Sequence, residues 1–452
     1  MITGRARNGA RPVCKQDNMD YQETVSFLEQ IPRFRGGDAL APTKELLGAL
    51  GDPQEKAPYI HVAGTNGKGT VCAVMAKVLE EAGLKVGLFT SPHLVRINER
   101  IRINGRSISD EDFVRAFEAV MAGKNLLREK DLPLPPYFGM LYAMAMWYFD
   151  REKVDCIIAE TGLGGRLDQT NLVREPALCV ITSIGLDHTQ YLGDTVEKIA
   201  GEKAGIIKPG VPVVFDGTSP EAAGVIRKTA KEQSSPAVMV ERSMIREAHR
   251  TDKGIAFILN NRYYDNTPVE IPSPAMYQAD NFALALTALR VLDPDGIFYT
   301  PGSAAAAAGR VKWPGRMQSA GPSLMVDGAH NPPAVKVLCE WISYEEKKQP
   351  LTLLVGVASD KDTASIVKML AGAASWRAVV VTGIGSDRGL ECSELKKLFE
   401  EQTASPVYAE EDLSGALALA REKAGGGMVL AAGSLYLAGS VLAMEGQETD
   451  IL

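Results

Sequence analysis

Residues 59–90 constrain the fold more than any other stretch of this chain. Tyr59–Ala63 is a short, largely apolar run of the kind that forms a strand buried on both faces. The glycine-rich heptad Gly64-Thr65-Asn66-Gly67-Lys68-Gly69-Thr70 follows at once. Beyond it Val71, Val74, Met75, Val78, Leu79 and Ala82 recur at helical spacing, Gly83 fits the residue just past a helix end, and Lys85–Thr90 reads as the next strand. Strand, crossover helix, strand is a βαβ unit, and it commits the chain to an α/β fold with a parallel sheet.

The same alternation continues. Val154–Glu160 and Leu178–Ile184 read as buried strands that run into polar loops. Ligands of open α/β sheets gather beyond the carboxyl ends of strands, so the loops after Ala63, Thr90, Glu160 and Ile184 are expected to converge. Prolines 294, 301 and 314 mark a break near 293–315, within which the alanine tract 304–308 reads as an ordinary helix. A second alternation follows, with strands expected at Leu324–Asp327, Leu351–Val357, Ala378–Thr382 and Met428–Ala432. The expected division is a tail over residues 1–18, a mostly parallel P-loop-type sheet flanked by helices over 19–310, and a smaller Rossmann-like α/β domain over 311–452. A length of 452 residues suits two cores better than one.

Composition excludes several classes. A net charge of −7 argues against a broad nucleic-acid surface. No apolar run is long enough to span a bilayer, and no signal segment opens the chain. The six cysteines lie apart, with no Cys-x-x-Cys pair, which predicts a cytoplasmic protein without disulfides or a zinc knot.

The heptad carries the chemistry. Glycines let the backbone wrap a phosphate chain, and the helix start beyond attracts negative charge. Lys68 can reach outer phosphates, and Thr70 can cap the helix or touch phosphate. The strict Walker spacing fails, because its first glycine would fall on Val62. Glu160 closes a buried strand, where an unpaired carboxylate is costly and a cation would satisfy it.

Further segments follow in order: Thr90-Ser91-Pro92-His93-Leu94, Asn98-Glu99-Arg100-Ile101, Glu160 through Asp168 with Thr170-Asn171, Asp187-His188-Thr189, and Gly201 through Lys208. Then come Met276-Tyr277-Gln278-Ala279-Asp280-Asn281, Trp313-Pro314-Gly315-Arg316, and Val326 through Pro332. This set, spread over residues 20–440, resembles the Mur ligase superfamily in the form used by folylpolyglutamate synthases and dihydrofolate synthases. Ser359-Asp360-Lys361-Asp362 and Gly433-Ser434-Leu435-Tyr436 also fit it.

The resemblance implies an ATP-dependent ligase that activates a carboxylate as an acyl phosphate and joins it to the amine of L-glutamate. The acceptor would be folate or dihydropteroate, with ATP as co-substrate and two Mg²⁺ ions. It assigns Gly64–Thr70, Gln278, Asn281, Arg316 and Asp327 to ATP, with Arg316 on the phosphates and Asp327 on the ribose. It assigns Ser91 and Glu160 to one magnesium, and His188 with Lys203, carried as a carbamate, to a second. His330 falls near the γ-phosphate. Pro92, His93, Arg100 and Asp168 fall on the folate side. Lys68, His188, Lys203, Arg316 and His330 are the expected catalytic set. The expected partners are these small molecules, with no nucleic acid and no membrane, and the expected state is a monomer.

Plainer roles compete at several positions. Lys203 could be a solvated helical lysine, His188 a hydrogen-bonded loop residue, Asp168 a turn-capping aspartate and Asn281 a helix cap. Residues 93–106 could form a solvated hairpin. Gly139, after Pro136-Tyr137-Phe138, departs from the family pattern, which often places an acidic residue there, and supplies no carboxylate to the substrate side. Two other functions compete with the leading one: a cell-wall Mur ligase acting on a nucleotide-linked peptide, and a non-catalytic nucleotide-binding relative.

Overall fold

The computed structural model describes residues 19–33, 39–385 and 388–451, so the tail expected over 1–18 lies outside the described residues. Strand β1 (Tyr59–Ala63) is wholly buried. With β2 (Val86–Phe89), β3 (Ile101–Ile103), β4 (Arg106–Ser107), β5 (Cys156–Glu160), β6 (Leu178–Ile181), β7 (Val213–Asp216) and β8 (Ala237–Val240) it forms one sheet in the order β4-β3-β2-β5-β1-β6-β7-β8. From β2 to β8 every pairing is parallel, while at the other edge the β2–β3 and β3–β4 pairings are antiparallel.

The helix Lys68–Glu81 connects β1 to β2 and buries Val71, Val74, Met75, Val78 and Leu79. It stops as the sequence reading expects. Gly83 takes φ 90°, its N–H bonds Glu80 O, and the N–H of Leu84 reaches back to Leu79 O at 3.1 Å. β6 is three residues shorter than expected. Beyond Ile181 the regular strand ends: Thr182 N still bonds Ala63 O and Ser183 O accepts from Thr65 N, and both hydroxyls turn onto Asn66 O.

A second sheet, β9 (Ile245–Thr251), β10 (Gly254–Asn261) and β11 (Tyr264–Ile271), is an antiparallel meander that the sequence reading did not anticipate. The alanine tract is helical over Pro301–Ala308, opened by Thr300 accepting from Ser303 N. The third sheet comprises β12 (Gln318–Gly321), β13 (Leu324–Val326), β14 (Leu351–Val355), β15 (Ala378–Val381), β16 (Val407–Ala409) and β17 (Met428–Ala432), in the order β12-β13-β17-β14-β15-β16. It is parallel except at β12–β13. Cys72, Cys156, Cys179, Cys339 and Cys392 are free thiols. Among the described residues no helix is long and apolar enough to cross a membrane.

Candidate active site

The carboxyl ends of β1, β2, β5 and β6 converge on one cleft, and the first loops of the third sheet close it from the other side. Its walls include Gly64–Thr70, Ser91, Glu160, His188, Lys203, Gln278, Asn281, Arg316, Asp327 and His330. Every residue expected at the nucleotide, the metals or the phosphoryl group therefore faces the same space.

The glycine-rich loop is held from two sides. Thr65 N donates to Ser183 O at 2.9 Å, and the Lys68 ammonium folds back onto the carbonyls of Gly64 and Thr65. Gly67 opens the helix at φ 87°, and a methyl there would collide with Asn281 Oδ1. Gly69 lies against Trp313, with 2.5 Å between a hypothetical Cβ and the indole. Asn281 is not a helix cap. The helix Gln278–Leu292 starts after Tyr277 without a side-chain cap, and Asn281 lies within its first turns, donating to Gln278 Oε1 at 2.8 Å while facing Gly67.

Glu160 is 4% exposed. Burial raises its pKa, opposed by Lys68 at 3.9 Å and by the N–H of Ser91 at 3.0 Å. Lys203 is equally buried on the helix Val196–Ala204 and is no surface lysine. Its Nζ donates to Gly64 O at 2.6 Å, and burial, helped by the Lys68 charge, lowers its pKa to about 7. His188 takes φ 50° at the start of a single helical turn, and burial lowers its pKa despite neighbouring Asp187. Burial likewise brings His330 down to about 4. Its Nδ1 faces Gly328 O at 2.8 Å, and since a carbonyl only accepts, Nδ1 carries the proton and Nε2 is left as an acceptor. Asp327 accepts from Met317 N and Ala329 N, which fixes its rotamer.

A second, more apolar cavity opens from the first past Ser91, Pro92, Gly162–Gly164, His188 and His330. Tyr137, Phe138, Leu163, Arg100 and Asp168 line it. Arg100 donates from Nε to His93 Nδ1 at 2.9 Å and lies over the Tyr137 ring, so His93 sits behind Arg100. Asp168 does cap the turn Gln169–Leu172, accepting from Thr170 N, and it also accepts from the Thr170 hydroxyl and from Leu163 N. The segment after His93 is no solvated hairpin, because Glu99, Arg100 and Arg102 are all buried. Gly139 lies buried against Thr43 and Gln169, where a side chain would strike the Thr43 hydroxyl.

The sequence reading missed the contacts that join the two sides of the cleft. Asp187 Oδ1 meets Lys361 Nζ at 3.0 Å, and Asn331 Nδ2 donates to Asp187 Oδ2 at 2.8 Å and to Asn66 Oδ1 at 3.1 Å. Burial opposes the Asp187 charge, but Lys361 and the neighbouring histidines outweigh it and hold the carboxyl well below its ordinary range. The one available signal was Asn331 before two prolines, a helix cap whose amide has a donor to spare.

Residues 309–435 match the family model for the Mur ligase, glutamate ligase domain. The chain is 35% identical over 425 residues to the dihydrofolate synthase/folylpolyglutamate synthase of Bacillus subtilis, covering 92% of this chain and 97% of that one. It is 33% identical to the folylpolyglutamate synthase of Lacticaseibacillus casei, covering 94% and 98%. Among solved structures, Mycobacterium tuberculosis folylpolyglutamate synthase complexed with ADP superposes with a TM-score of 0.84 at 29% identity, over 95% of this chain and 98% of that one. Likeness of this extent runs through both sheets that enclose the cleft, and the chain belongs to the folylpolyglutamate synthase/dihydrofolate synthase family.

Proposed function

We propose that this ATP-dependent ligase adds L-glutamate to both tetrahydrofolate and dihydropteroate, with the phosphate-type cleft taking ATP and the second cavity taking the pterin substrate. One observation carries the reading. A polar cleft built on a glycine-rich loop opens directly into an apolar, arginine-bearing cavity, past a shared rim of Ser91, Pro92, Gly162–Gly164, His188 and His330.

A carboxylate resists attack by an amine because oxide is a hopeless leaving group. Phosphoryl transfer from ATP makes an acyl phosphate and ADP; the free amine of glutamate attacks the acyl carbon, and phosphate departs as the amide forms. Lys68 and Arg316 bring positive charge to the transferring group from opposite walls of the cleft, which is electrostatic stabilisation more than bond chemistry. Gln278, Asn281 and Asp327 lie where they can hold the nucleoside. His330 is neutral at pH 7 and offers Nε2 as an acceptor beside the phosphates.

Among the described residues no group of three or more His, Cys, Asp or Glu is placed to cage a metal. The Glu160 carboxylate and the Ser91 hydroxyl, both in the cleft wall, are the hard oxygen donors that magnesium takes alongside water and phosphate oxygens. Glu160 and Ser91 would hold one ion and His188 with Lys203 a second; bound there, magnesium would neutralise phosphate charge. The lowered pKa of Lys203 leaves much of its amine free near neutrality, and a free amine adds to CO₂ with loss of one proton, which supports the carbamate. Asp168, Arg100, His93 and Pro92 would form the pterin side. The two lobes, divided near residue 310, would close on ATP and shield the acyl phosphate from water. The chain would work as a cytoplasmic monomer, with no nucleic acid or membrane partner.

The test is ADP release with dihydropteroate or tetrahydrofolate, each with and without glutamate. ADP is expected only when ATP, pterin substrate and glutamate are all present, and Lys68→Ala should abolish it. ATP binding without ligation on either substrate, or product formed only from a UDP-muramyl acceptor, would overturn the assignment.

A further inference from the structure

Past the helix Leu435–Met444 the chain leaves the six-stranded sheet and lies along the β3–β4 edge of the eight-stranded one. Ile451 is 3% exposed and its N–H donates to Gly105 O at 3.0 Å. Asp450 Oδ1 accepts from both the N–H and the hydroxyl of Ser107. Thr449 O accepts from Arg102 at 3.1 Å, and the Thr449 hydroxyl donates to Glu99 Oε1 at 2.9 Å.

Glu99 is the focus of these contacts. Its buried carboxylate also accepts from three consecutive backbone N–H groups, those of Leu94 at 2.8 Å, Val95 at 3.0 Å and Arg96 at 2.8 Å. One side chain thus shapes the loop between Pro92 and Arg100. That loop is gripped from the other lobe as well. The Leu94 side chain packs on Gly315, and the Leu94 carbonyl rests on Gly439 so closely that a methyl there would overlap it.

We infer that residues 446–451 are a strap between the lobes, and that Thr449, Asp450 and Glu99 are positioning residues for the pterin substrate. The inference rests on reading the second cavity as the pterin site. The strap supplies an acceptor to Arg102 and a donor to Glu99 within a buried pair, Glu99 fixes the backbone of residues 94–96, and that backbone carries His93, which receives the Arg100 guanidinium. Without the strap, Arg102 and Glu99 each lose a partner inside the protein, and the loop loses its fixed shape.

The experiment compares wild type with Thr449→Val, with the pair Thr449→Val/Asp450→Ala, and with Asp450→Asn, whose amide oxygen can still accept from Ser107. Two readouts are taken: hydrogen exchange at the amides of Leu94, Val95 and Arg96, and KM for tetrahydrofolate against KM for ATP. The double variant should exchange those three amides faster and raise the tetrahydrofolate KM about tenfold, with the ATP KM within about twofold of wild type. Thr449→Val alone should move both readouts in the same direction by less, and it decides the matter if the double variant does not fold. Asp450→Asn should match wild type. Unchanged exchange at the three amides, or an ATP KM that rises as much as the folate KM, overturns the inference. Were wild type inactive on every pterin substrate, the functional reading would fail, while the exchange data would still decide whether the strap holds the loop.

Discussion

Lys203 illustrates how far a residue's surroundings can move its chemistry. Its pKa falls from 10.5 to about 7 because burial disfavours the charged form. Between those values the unfolded chain binds more protons at this position than the folded one, so wild-type stability climbs as pH rises through that window. Lys203→Met removes the buried amine, and Gly64 O keeps its bond from Lys68. In CO₂-depleted buffer at pH 7 the variant should be more stable by roughly 1–3 kcal/mol, an advantage that shrinks toward pH 10, while ligase activity falls at least about a hundredfold. Denaturant titrations across pH, paired with ADP release, check both halves. A variant less stable than wild type at pH 7 would contradict the argument. Lys203 entered the candidate site through the family resemblance, since a lone helical lysine otherwise reads as a solvated surface residue. Its burial was not legible, and neither were the partners of Asp187, since Lys361 lies 174 positions away along the chain. Pairings of that reach arise from topology, which no local pattern encodes.

Among elements, the junction of β1 with the helix Lys68–Glu81 depends most sharply on one residue type. Gly67 and Gly83 both take left-handed φ, near 87° and 90°, but only Gly67 faces a neighbour that a methyl would strike, whereas Gly83 has open space. Gly83→Ala should therefore cost about 1–2 kcal/mol of backbone strain and leave ATP affinity alone. Gly67→Ala should weaken ATP binding by at least about tenfold, since the loop must also move away from Asn281. Calorimetry with ATP separates the two, and equal affinities would refute the distinction. The βαβ unit was readable because a buried parallel strand and an amphipathic helix each write a period into the sequence. β9 was not, since Ile-Arg-Glu-Ala-His-Arg-Thr is mostly exposed and has no apolar alternation. β10 could have been found, because Ile255, Phe257 and Leu259 alternate inward. The early end of β6 was hidden too, since Thr182 and Ser183 keep backbone bonds to Ala63 and Thr65 but turn their hydroxyls onto the glycine-rich loop.

For the whole molecule, the telling contacts are those that tie one lobe to the other beside the cleft. Asp187 and Lys361 are about as shielded as each other, at 12% and 11% exposure, so salt screens their attraction less than at an open surface. Asn331 adds hydrogen bonds to Asp187 and Asn66. Asp187→Asn combined with Asn331→Ala should relax the lobes apart. The radius of gyration should rise in the free protein, and a nucleotide analogue with folate should compact it less than wild type. Scattering profiles that overlay in both states would rule this out.

The meeting of Leu94 with Gly439 has a mechanical consequence. Main chain rests directly on a helix that offers no side chain at that point, so no flexible cushion lies between the two bodies. The proposed closure on ATP would therefore run into a hard stop at this point, which would set the distance from one wall of the cleft to the other. For in-line transfer, where a displacement of about 1 Å can cost roughly a hundredfold in rate, a missing methyl group acts as a gauge block.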